Sequence, residues 1–184
     1  MSTAPRRAQR PRDPQARRDA LAAAVIDSIA EVGLGRTTHR SVANRAALPL
    51  GATTYYFPTL DDLIEAGLRQ ALDDLDRELG QWAQALRDAG DPAAALARLA
   101  ADYVADRRQA RLEYELYAAA MRDERLRPLA RRWLSGLRGV LEAVFGRSAY
   151  AVGAVLDGTV LQALTAGEPL DETALADAVR RLTS

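Results

Sequence analysis

At 184 residues the chain is long enough to bury a real core, as one domain or as a small domain joined to a larger one. Apolar residues make up 48% and charged residues 27%, which excludes wholesale disorder, and the lack of cysteine excludes disulfides and thiolate metal sites. The formal net charge is zero, yet residues 1–60 hold nine Arg against four acids, while the rest holds sixteen Arg against twenty-one acids. A basic N-terminal third on an acidic body suits an end that faces nucleic acid, because cationic groups displace the counterions condensed on phosphates.

Residues 1–12 carry Arg6, Arg7, Arg10 and Arg12 among Pro and small residues without apolar period, and read as a flexible basic arm. Leu21, Val25, Ile29 and Val32 then recur at spacings of four, four and three, one stripe of an amphipathic helix. Pro14 suits its first turn, and Gly33 and Gly35 end it. Thr38 is a good N-cap for a second helix to about Ala46. Ala47–Leu48–Pro49 breaks that helix, and a third short one runs to about Tyr56. After Pro58, Thr59 with Asp62 forms a capping-box-like pair for a fourth helix reaching about Leu86. A fifth is expected from Pro92 to about Arg107, a sixth over Ala110 to Arg122 and a seventh over Leu126 to Phe145. An eighth should span Ala149 to Ala166, and a ninth begins at Asp171. No strand-like alternation or repeat occurs, so the fold class is all-α.

The segment from Thr38 to Leu63 carries the most chemistry. Two short helices joined by a tight turn form a helix-turn-helix, whose second helix enters the major groove of DNA. Thr38 offers a hydroxyl and free N–H groups at a helix start, and Arg40 and Arg45 add cationic reach. Gly51 permits close backbone approach, and the hydroxyls of Thr53, Thr54, Tyr55 and Tyr56 suit base edges or phosphates. Phe57 reads as a packing residue; the two tyrosines divide between packing and DNA contact, since neighbours on a helix cannot share one face. His39, the single histidine, reads as exposed or beside a phosphate rather than as a metal ligand.

This region resembles the TetR family of transcriptional regulators. The resemblance is carried by Ile29–Ala30–Glu31–Val32–Gly33, by Thr38 to Ala46, by Leu48–Pro49–Leu50–Gly51 at the turn, and by Thr54–Tyr55–Tyr56–Phe57–Pro58. It implies a DNA-binding head over residues 13–58 and an effector-binding and dimerisation body over 59–184. It places Thr38, Arg40, Leu50, Gly51, Thr53, Tyr55 and Tyr56 where family members contact double-stranded DNA. Leu50 stands where many relatives have a polar or basic residue, and Leu60 where a Lys often approaches phosphate. Part of the phosphate contact is therefore expected from the arm and Arg40.

In the body, Leu126, Ala130, Trp133, Leu137, Val140 and Val144 form one stripe, and Val152, Leu156, Thr159 and Ala163 another. Either the stripes are core of one subunit, or Trp133, Leu137, Val140, Val152, Leu156, Thr159 and Ala163 form the four-helix homodimer interface that the resemblance implies. Dimerisation sets two recognition helices about 34 Å apart, on successive turns of one DNA face. Trp82, Tyr103, Tyr114, Tyr117 and Met121 are the large adaptable side chains of helices four to six. They read as core or, by the resemblance, as the lining of a cavity for an unidentified small-molecule effector, with Tyr hydroxyls or Glu113 as polar groups.

The function expected is a dimeric, ligand-responsive transcriptional regulator, a repressor released by its effector, with an activator of the same fold as the alternative. A helical protein-interaction module is a second alternative, disfavoured by the basic N-terminal third. Enzymatic activity, a cofactor and a metal site are not expected: there is one His, no Cys and no phosphate-binding glycine loop. No signal peptide or convincing membrane span is read, the apolar eighth helix being interrupted by Asp157, so a cytoplasmic location is expected.

Overall fold

Asp13 opens the first helix by accepting a hydrogen bond from the Gln15 N–H at 3.1 Å, with Pro14 supplying a preset φ. From there the computed structural model, which describes residues 13–184, contains only helices and connecting turns among those residues. The basic arm expected over residues 1–12 lies outside the described residues. Among the described residues the nine α-helices are α1 (Pro14–Val32), α2 (His39–Arg45), α3 (Leu50–Tyr56), α4 (Leu60–Asp88), α5 (Pro92–Ala105), α6 (Arg107–Ala120), α7 (Arg127–Phe145), α8 (Ala149–Ala166) and α9 (Glu172–Thr183). The all-α reading holds, with α6 starting earlier than its apolar pattern suggests because Asp106 caps it through the Arg108 N–H at 3.2 Å.

The chain divides into two compact units, one up to Gln70 and one over Ala71–Ser184, and α4 contributes residues to both. In the first unit, Leu21, Val25 and Ile29 of α1 are buried together with Val42, Leu48, Phe57, Leu63 and Leu68. Each fully buried aliphatic side chain contributes roughly 1.5–3 kcal/mol, so this small core rests on few residues. Gly67 is buried, and a Cβ there would collide with Val25 Cγ1 and meet the Ala22 carbonyl oxygen at 2.9 Å, so α4 crosses α1 at a point only glycine fits.

In the second unit α5 packs on α9, and α7 on α8. Asp91 caps α5 through the Ala94 N–H at 3.1 Å and pairs with Arg180 of α9 at 2.7 Å, holding those helix ends together. Gly146 at φ 53° and Gly167 at φ 75° take the conformations that end α7 and α8.

Candidate functional site

The head is organised by its caps. The Ser41 N–H donates to Thr38 Oγ1 at 3.1 Å while the Thr38 N–H donates to Ser41 Oγ at 3.0 Å, a reciprocal box that fixes the start of α2. Beneath it, the buried hydroxyls of Ser28 and Thr37 stand 3.2 Å apart, and Thr37 donates to the Gly33 carbonyl at 3.1 Å. The turn into α3 closes with the Leu48 N–H on the Ala43 carbonyl at 3.0 Å, and Ala47 adopts a left-handed φ of 52°. The α4 start repeats the device: the Asp62 N–H donates to Thr59 Oγ1, and the Thr59 N–H to the Asp62 carboxylate, both at 3.1 Å. Two short helices are thus set by hydrogen bonds local to their ends.

On this frame Thr38, Arg40, Leu50, Gly51 and Tyr55 are exposed and Tyr56 is half-buried. Tyr55 is 79% exposed and meets the Tyr56 ring edge-on at 5.0 Å between centroids. Thr53 does not belong with them. It is 0% exposed and donates to the Leu50 carbonyl at 2.7 Å, so its hydroxyl is satisfied inside the helix and turned from the surface. One residue on, Thr54 holds the exposed position, because each helical step rotates about 100°. Phe57 is buried, with the Arg18 guanidinium 5.0 Å over its ring, which makes it a packing residue. Arg45 is engaged by Glu31.

The second unit holds a cavity lined by Leu75, Glu78, Leu79 and Trp82 of α4, Tyr103 of α5, Glu113 and Tyr114 of α6, Trp133 and Leu137 of α7, and Leu156, Asp157 and Val160 of α8. Three carboxylates face it and no Arg does. Glu113 is 6% exposed; Tyr117 Oη donates to its Oε1 at 2.6 Å and Tyr103 Oη to its Oε2. Burial pushes the Glu113 carboxyl up to about 7, against the hydroxyl hydrogen bonds, with Asp157 adding to the rise. Burial also raises Asp157, and burial followed by the charge of Asp106 raises Glu78. Tyr114 donates to the Asp157 backbone carbonyl at 3.0 Å, and Trp82 meets Tyr103 edge-on at 6.1 Å. Free room amounts to about 40 Å³, space for a water or two, so a larger guest requires the walls to part.

Of the aromatics expected around an effector, Trp82, Tyr103 and Tyr114 line this cavity, and Tyr117 stands behind Glu113 as its hydrogen-bond donor. Met121 is a correction: α6 ends at Ala120, and Met121 stands past the last packed turn, 75% exposed. The dimer set also needs correction. Trp133, Val140, Val152, Leu156 and Ala163 are buried within the single chain and Leu137 and Thr159 are half-buried, because the most apolar stripe of each helix faces the chain's own core. Trp133, Leu137 and Leu156 belong to the cavity wall. The outward face of α7 and α8 presents Leu134, Arg138, Tyr150, Ala154 and Leu161 instead. Sequence reasoning missed Glu78 and the cavity role of Trp133; the available signal was Asp157, an acid inside the most apolar helix.

Comparison with known proteins accords with both halves of this arrangement. The family described as Tetracyclin repressor-like, C-terminal domain matches residues 87–184. The chain belongs to the TetR family of transcriptional regulators. Similar to this TetR-family chain are the HTH-type transcriptional regulator BetI of Paraburkholderia xenovorans, 32% identical over 86% of this chain and 87% of that protein, and BetI of Burkholderia mallei, 33% identical over the same shares. Among solved structures, a TetR-family member from Streptomyces coelicolor A3 is 40% identical, with a TM-score of 0.79 over 91% of this chain and 98% of that one. The multidrug binding protein EbrR complexed with ethidium is 41% identical, with a TM-score of 0.77 over 90% and 97%. This TetR-family chain is a DNA-binding transcriptional regulator.

Proposed function

We propose that this regulator is a homodimeric repressor that binds a palindromic operator and is released by an aromatic organic cation. The observation that carries the reading is the cavity: three carboxylates among Trp82, Tyr103, Tyr114 and Trp133, without a basic side chain. Carboxyl groups wholly or partly withdrawn from water and lacking a counter-ion attract positive charge, and aromatic faces add cation–π attraction of about 0.5–2 kcal/mol each. That chemistry agrees with the ethidium bound by the similar EbrR.

The division of labour is a DNA-reading head, whose reading elements lie over 13–58 of the first unit, and a sensing, dimerising body formed by the second unit, Ala71–Ser184. Thr38, Arg40, Leu50, Gly51, Thr54, Tyr55 and Tyr56 supply the DNA-facing surface of the head. In the body, the outward face of α7 and α8 takes a second copy of the chain. Leu134, Tyr150 and Leu161 stay exposed within one chain, which leaves an apolar face for a partner to cover.

Release follows from α4. The same helix walls the cavity with Leu75, Glu78, Leu79 and Trp82 and crosses α1 in the head unit at Gly67. A guest larger than the free room displaces α4 at its cavity end, so the cation binds the DNA-free state better than the DNA-bound one. The test is a titration of the protein onto the DNA upstream of its own gene, against scrambled DNA, at two salt concentrations. Selective binding that weakens steeply with salt is expected, and Tyr55→Ala should reduce it while the dimer persists. Equal affinity for both DNAs, or no effect of Tyr55→Ala, would contradict the reading of the head.

A further inference from the structure

Glu113 is a buried carboxyl with only neutral partners. Its two oxygens receive the hydroxyls of Tyr103 from α5 and Tyr117 from its own α6, and the Trp133 indole of α7 lines the same cavity. The ionisable groups facing it are Tyr114 and Tyr117 on α6, Tyr103 on α5, Glu78 on α4 and Asp157 on α8. The tyrosines are all held protonated, by burial first and by the nearby carboxylates second. None of the groups acting on Glu113 is a cation. A carboxylate enclosed in this way has no counter-charge until a ligand brings one, and an isolated buried charge costs several kcal/mol.

We propose that the cavity exchanges a proton for its cationic ligand at Glu113, whose carboxyl keeps its proton in the empty pocket and gives it up when an organic cation lies against it. This rests on the reading of the cavity as an organic-cation site. The exchange balances simply. The Glu113 O–H bond breaks, its electron pair stays on the carboxylate oxygen, and the proton passes to solvent as the cation takes its place. Nothing is oxidised or reduced.

Tyr103 and Tyr117 are positioning residues that serve both states. Toward the carboxylate each hydroxyl donates; toward the acid, one hydroxyl oxygen accepts the carboxyl proton. The buried group is therefore satisfied before and after exchange, and what opposes ionisation in the empty pocket is the missing counter-charge alone. With the Glu113 carboxyl near 7, cation affinity falls by up to tenfold for each pH unit below that value and levels off above it. The sensor thus answers to proton and cation concentration together.

The test is calorimetric titration of the full chain, without DNA, with ethidium as a permanent aromatic cation. Two buffers of different ionisation enthalpy count the protons released at each pH. Release approaching one proton at pH 6 and near none at pH 8.5 is expected, with affinity rising about tenfold from pH 5.5 to 6.5. Glu113→Gln should bind weakly, release no proton and lose the pH dependence, whereas Asp157→Asn should keep proton release. Tyr117→Phe, which removes one donor to the carboxylate, should move the midpoint of the pH dependence upward; it provides the readout if Glu113→Gln does not fold. Ethidium binding of constant affinity without proton release would overturn the exchange and leave the cation site standing. Absence of ethidium binding at pH 8.5 would overturn both, and proton release surviving in Glu113→Gln would overturn the assignment to Glu113.

Discussion

The two units of this chain solve opposite problems with polar groups. In the head the polar side chains that shape the fold sit at helix ends: Thr38 with Ser41 and Thr59 with Asp62 satisfy backbone N–H groups that water could also reach. In the body the decisive polar group is enclosed: Glu113 is buried among aromatic rings from three helices and accepts hydrogen bonds from the Tyr103 and Tyr117 hydroxyls. The first arrangement makes a small rigid platform whose exposed side chains do the reading. The second encloses an acid whose ionised form lacks a counter-charge, which a cationic ligand would supply. A regulator needs both kinds, a surface that stays the same and an interior that does not.

The largest consequence of that contrast concerns pH. Glu113 holds its proton more tightly in the folded chain than in the unfolded one, being raised from 4.5 to about 7. Its contribution to stability is therefore full below about pH 4.5 and lost as pH rises through about 7. The loss is of order 3 kcal/mol. Glu113→Gln should flatten this decline, so that urea unfolding between pH 5 and 8 separates the variant from wild type most at the alkaline end. Equal pH profiles would show that Glu113 is not the strained group of the body.

The head breaks by packing instead. Gly67→Ala places a methyl against Val25 and the Ala22 carbonyl; overpacking of this kind typically costs about 2 kcal/mol. Thermal unfolding should show a lower Tm for the variant, with DNA affinity reduced and ethidium affinity retained. Loss of both activities together would mean that the two units do not fail separately.

On the outward face of α8, Leu161→Arg should weaken dimerisation at least tenfold in sedimentation, because it brings two unpaired charges to an apolar contact. Val152→Ala makes the counterpart: Val152 is buried within one chain, so the change should lower stability and leave the association constant of the folded protein alone. The smallest effect is expected at the turn between α2 and α3. Ala47 holds a positive φ, and Ala47→Gly should stabilise the head by about 0.5–1 kcal/mol in urea unfolding.

Legibility in the sequence divides along the same line. Pro14, Thr38, Thr59 with Asp62, and Asp91–Pro92 are local signals, and the helices start beside them. Ala47 gave no sign of its left-handed backbone, because the residue that usually marks that conformation is glycine. Thr53 and Thr54 are alike in type, and only the rotation of the helix decides which is turned inward. In the body the apolar stripes of α7 and α8 were visible, but each helix has two apolar faces and periodicity does not say which meets the chain's own core. Trp133 and Val152 accordingly went inward and left Leu134, Tyr150 and Leu161 outside. The cavity was the least legible part. Glu78, Tyr103, Glu113, Trp133 and Asp157 come from five helices, and no spacing along the chain announces that they meet.

A cation taken up by the body is expected to lower the head's hold on DNA. The most direct measurement is the affinity for upstream DNA, by fluorescence anisotropy at pH 8, with and without saturating tetraphenylphosphonium, a permanent aromatic cation that does not intercalate. The apparent Kd should rise about tenfold or more, with no change from neutral triphenylphosphine oxide. An unchanged Kd, with calorimetry showing the cation bound, would contradict it.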